Sequence, residues 1–152
     1  MMRFEQTVDV LEHVGLFHRK AAELYRTLTG RVSSPRVKML LDYMARHEDR
    51  VALSVREYRD ESRPQVLSSW FKYSHDKDIF APLKEVDLDR DYDFDDVLDL
   101  ALALDSKLLE LYRDMSTQAV SPEVKDMFNS LLLREMEEKQ KLMRAAAGLL
   151  DL

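Results

Sequence analysis

Apolar residues recur at helical spacing from about Val8 to Thr29, at Val10, Leu11, Val14, Phe17, Ala21, Leu24 and Leu28. Ser33-Ser34-Pro35 then reads as a restart, with Ser34 placed to cap a new helix and Pro35 at its first position, where a missing N–H costs nothing. A second stripe, Val37, Leu40, Leu41, Met44, Val51 and Val55, predicts a helix from Pro35 to about Tyr58. A third helix is predicted from about Phe94 to Ala119. Ser121-Pro122 repeats the restart, and a fourth helix runs to about Leu150. Short turns make each successive pair antiparallel neighbours, so the pattern predicts two helical hairpins.

The segment between the hairpins, residues 59–93, behaves differently. It opens with RDESRPQ, carries the aromatic cluster Trp70, Phe71 and Tyr73, and ends in VDLDRDYDFDD. There Val86, Leu88, Tyr92 and Phe94 alternate with aspartates, which predicts extended chain with one face on protein. About ten such residues reach ~33 Å, close to the length of a helix of about 23 residues. The connection is therefore long enough to cross from one end of a bundle to the other. The aromatic cluster is expected to plug a bundle end or to form a dimer contact.

The two hairpins share wording. ELYRTLTGRVSSPRVK begins at Glu23 and ELYRDMSTQAVSPEVK at Glu110, an offset of 87 residues. An amphipathic hairpin cannot bury its own apolar face, and two copies close a core. The expected fold is all-α: a four-helix bundle with hairpin 1 at about 5–58, a crossover at 59–93 and hairpin 2 at about 94–150. The offset also matches Glu48 with Glu135. Glu23 lies 12 residues before Pro35 and Glu48 lies 13 after it; Glu110 and Glu135 stand in the same relation to Pro122. Equal counts from a turn imply equal height, so four carboxylates are expected near the middle of the bundle, one per helix.

In architecture and glutamate positions, nearly the whole chain resembles the ferritin-like superfamily, especially its rubrerythrin-like members. The resemblance implies a Glu on the first and third helices and a Glu-x-x-His on the second and fourth, together holding two irons. Glu23 and Glu110 match the single-Glu positions, and Glu48 and Glu135 match the Glu of each Glu-x-x-His. The histidines are replaced by Val51 and Glu138. A site of Glu23, Glu48, Glu110, Glu135 and Glu138 would be all-carboxylate, and hard oxygen ligands suit manganese, magnesium or calcium at least as well as iron. The competing account needs no metal. Buried carboxylates require cations or protons, and Lys20 and Arg26 flank Glu23 as Lys107 and Arg113 flank Glu110. His18 and His47 lack the i+3 or i+4 spacing that would aim them beside these glutamates on their own helices, so both are expected to be surface or half-buried imidazoles, and His13 and His75 have no partner pattern.

Composition narrows the function. A net charge of −6 argues against a general nucleic-acid binder, and no apolar run is long enough to span a bilayer. The first residues lack a signal-peptide pattern, and the absence of cysteine excludes a thiolate site and fits a cytoplasmic protein. Complete rubrerythrin enzymes also carry a Cys-ligated iron domain, so a self-contained peroxidase is not expected. The aspartate run fails as a calcium loop, since Tyr92 and Leu98 stand where Gly and Glu are required; its acids instead suit a helix N-terminus. Six helical methionines (39, 44, 115, 127, 136 and 143) read as core filler. The expected protein is a ferritin-like bundle with a degenerate di-iron site and no cofactor, acting as a homodimer in partner binding or an auxiliary role. The alternative is a carboxylate-bridged oxidase or peroxidase holding iron or manganese on the five glutamates. Iron storage in a large shell is a third and weaker reading.

Overall fold

The computed structural model describes residues 5–71 and 78–151. The element order is β1 (Glu5–Gln6), α1 (Thr7–Thr29), α2 (Pro35–Glu61), α3 (Pro64–Leu67), β2 (Trp70–Phe71), α4 (Ala81–Lys84), α5 (Phe94–Gln118) and α6 (Pro122–Leu150). The four long helices form a bundle. Helix α1 packs on α2 and α5 on α6, and α2 touches both α5 and α6. Both serine–proline restarts begin helices where expected. The Ser34 hydroxyl accepts from the Val37 N–H at 3.4 Å, whereas Ser121 makes no such bond. At α5 the aspartates act as foreseen: Asp93 accepts from the Asp96 N–H at 2.8 Å, and Asp96 accepts from the Asp93 N–H at 3.1 Å.

One apolar cluster joins all four helices, with Phe17, Tyr25, Leu40 and Leu41 meeting Leu104, Leu108, Tyr112 and Phe128. Burying each such side chain is worth roughly 1.5–3 kcal/mol against exposure. The methionine expectation holds in part. Met44 and Met115 are buried, but Met39, Met136 and Met143 are exposed, because each follows or precedes a buried position by one residue and is turned about 100° off the stripe.

The crossover differs from the extended chain expected. It folds into α3, β2 and α4, and its alternating stretch bends where the Asp87 carboxylate accepts from the Asp89 N–H at 2.9 Å. Leu88 is consequently exposed, while Tyr92 and Phe94 remain buried. The segment still links both ends of the bundle. At one end β2 pairs antiparallel with β1, ahead of α1. At the other, Arg31 and Ser33 in the α1–α2 turn donate to Asp89 at 3.1 Å and Asp91 at 2.9 Å. Phe71 is buried edge-on to Phe128 with ring centroids 5.7 Å apart, and Trp70 is 60% exposed. Tyr73 and His75 lie outside the described residues.

Candidate functional site at the bundle centre

A polar centre interrupts the apolar core. His18 sits on the buried stripe of α1 between Val14 and Tyr25, and Asp105 sits on the corresponding stripe of α5 between Ala101 and Tyr112. Glu48 on α2 and Glu135 on α6 face them, and His47 is buried alongside. Each hairpin closes one pair. His18 Nδ1 and Glu48 Oε2 are 2.5 Å apart, both side chains buried, a separation that requires a proton between them. Across the other hairpin Glu135 and Asp105 hydrogen-bond to each other.

Burial dominates the electrostatics. It pushes the Glu135 carboxyl well above the ordinary range, and the charges of Asp105 and Glu48 push it further. Glu135 therefore keeps its proton and donates it to Asp105. Burial and the neighbouring Glu48 raise Asp105 itself to about 7, although accepting from Glu135 works against the rise. Burial also pushes the Tyr25 and Tyr112 hydroxyls well above their usual value, helped by these carboxylates. Burial lowers His47, offset in part by Glu48 and Glu138. His47 Nδ1 is 3.3 Å from Glu138 Oε2, and its ring stacks on Tyr43 at 6.4 Å.

Of the five expected glutamates, Glu48 and Glu135 are buried at the centre, and Glu138, 18% exposed, lies at its edge. Glu23 is exposed on the outer face of α1. Glu110 is 40% exposed, with Lys107 at 4.0 Å. For Glu23 the reason lies in the turn of its own hairpin. Residues 30–34 connect the helices without adding rise along the axis, so counting them as helix displaces the matching position on α1 by five residues, from His18 to Glu23. Five residues also rotate the side chain about 140° around the helix, away from the core. The flanking cations do not neutralise the interior either. Arg26 pairs with Asp49 and Lys20 lies over the Phe80 ring, both at the surface. His18 and His47 are buried rather than superficial: spacing along one helix says nothing of a partner on the next. His18 and Asp105 did carry a signal, since they are 87 residues apart and each is a polar residue inside an apolar stripe.

These residues do not fit a di-iron centre as they stand. Val51 and Glu138 stand three residues after Glu48 and Glu135 and bring no imidazole, and the facing carboxylates are bound to an imidazole or to one another. Among the described residues no three His, Asp or Glu side chains are grouped to hold one cation. Two atoms point the other way: among the described residues, His18 Nε2 and His47 Nδ1 are buried with no hydrogen-bond partner.

The chain matches no protein-family model. It also matches no curated protein. Among solved structures it is similar to a Thermotoga maritima protein provisionally described as ferritin-like and diiron-carboxylate. That likeness has 19% identity, covers 97% of this chain and 98% of that one, and has a TM-score of 0.68. The fold is thus the ferritin-like helical bundle.

Proposed function

We propose that this ferritin-like bundle carries a degenerate di-iron site and serves in a binding or auxiliary role, as a homodimer, rather than in turnover. The observation that carries the reading is the way the centre is closed. His18 satisfies Glu48 and a shared proton satisfies Asp105 and Glu135, so the carboxylates need no metal to be compensated. A buried pair of this kind holds the register of the helices, and removing one partner leaves the other uncompensated.

A second reading rests on His18 Nε2, a buried imidazole nitrogen without a hydrogen-bond partner among the described residues. With Glu48, Asp105, Glu135 and Glu138 it would supply one nitrogen and several carboxylate oxygens, a set that suits iron or manganese. The description of the Thermotoga maritima protein makes iron the first metal to try. Elemental analysis decides between the readings, on protein purified without chelators and again after anaerobic incubation with Fe(II) or Mn(II). The first reading expects less than about 0.1 metal per chain under all conditions. One or two metals per chain, lost in His18→Ala while helicity persists, would overturn it. Light scattering on the same sample tests the dimer.

A further inference from the structure

The outer face where α2 meets α6 holds a groove of about 520 Å³. Its floor includes Val51 and Glu138, the two residues standing where the di-iron pattern has histidine. Its rim is basic: Arg50 comes from α2, and Arg134, Lys141 and Arg144 from α6. This concentration is unusual in a chain of net charge −6. Several arginines elsewhere on the surface meet acids: Arg26 meets Asp49, Arg31 meets Asp89, Arg46 meets Asp42 and Arg90 meets Asp96. Here Arg50 and Arg144 form no ion pair among the described residues. Arg134 donates to the Ser54 hydroxyl at 2.8 Å and lies over the Tyr58 ring, so it is held in place without a counter-charge. The one acid lining the groove, Glu138, is mostly buried and is engaged by Lys141 at 3.4 Å.

We propose that the α2–α6 groove binds a small phosphorylated molecule carrying at least two negative charges. With Glu138 offsetting Lys141, three guanidinium groups remain and call for more charge than a single carboxylate brings, and the planar guanidinium fork matches phosphate oxygens. The volume exceeds what bare phosphate needs and lies within the range of small-molecule sites. Tyr43, Val51 and Leu53 supply an apolar wall for the organic part. Its four cations are on the outer surface, and Glu138 is the one residue that the groove shares with the edge of the bundle centre.

Calorimetric titration of the full chain with inorganic pyrophosphate and with phenyl phosphate tests this. Binding is expected at about 1 mM or tighter. Arg50→Ala and Arg144→Ala should each weaken it about tenfold, the loss of one charged hydrogen bond. Arg31→Ala, outside the groove, should leave it unchanged. Glu138→Gln removes the competing acid and should tighten binding, a gain that misfolding does not produce. No binding of either probe, or undiminished binding in the Arg50→Ala/Arg144→Ala double variant with helicity intact, overturns the proposal. So does binding of a poly-glutamate peptide without binding of either phosphate, which would assign the face to an acidic protein partner.

Discussion

Asp105 and Glu135 share a proton because two carboxylates buried this deeply cannot both be charged. The consequence is a pH dependence of stability. The folded chain holds protons that the unfolded chain releases from about pH 4 upward, so the unfolded state binds fewer protons and stability falls as pH rises. For Asp105 the loss runs from 3.8 to about 7, and Glu135, raised by its burial, adds a loss of the same sign. At about 1.4 kcal/mol per unit, Asp105 alone accounts for a loss on the order of 4 kcal/mol across that range. His47 acts in the opposite direction, since its lowered value destabilises the fold when it is charged below 6.5. Urea midpoints measured from pH 4.5 to 8 should fall with rising pH in the native chain, and Asp105→Asn should flatten or reverse that slope below 6.5. An unchanged slope in the variant would refute the shared proton. The composition of this centre was only half legible beforehand. Glu48 and Glu135 follow from the repeat, but His18 and Asp105 required knowing how the turns set one helix against its neighbour.

At the scale of elements, local chemistry sets the helix boundaries and tertiary contacts set the crossover. Ser34-Pro35 and the Asp93–Asp96 box act within a few residues, and for that reason could be read directly from the chain. The pairing of Glu5 with Phe71 and Gln6 with Trp70 joins residues more than sixty apart, and no local pattern announces it. The two aromatics of β2 accordingly have different roles. Phe71→Ala should cost about 3 kcal/mol or more, since it empties a buried space against Phe128. Trp70→Ala, at an exposed position, should stay within about 0.5 kcal/mol. Thermal unfolding of both variants checks this; equal losses would mean that strand pairing, rather than the Phe71 contact, holds the crossover.

At the scale of the molecule, the two hairpins depend on each other. Their apolar faces form one cluster, so neither hairpin on its own would cover Tyr25 and Leu41, or Tyr112 and Phe128. A fragment of residues 1–63 should therefore lose at least about half its helicity relative to its share of the intact chain, since unpartnered helices are marginal in water. Circular dichroism of the fragment checks this, and full helicity would mean the hairpin is autonomous. The α2–α6 groove also belongs to this scale, because its cations come from helices in different hairpins.

The sequence by itself determined the helices, their starts, the two-hairpin plan and the need for a long connection. Periodicity, caps and prolines act over short stretches of chain, and an 87-residue offset can be counted. Only the tertiary structure decided which polar residues meet. Helix height depends on turn geometry, helix rotation depends on packing, and an error of five residues is enough to exchange a surface glutamate for a buried histidine.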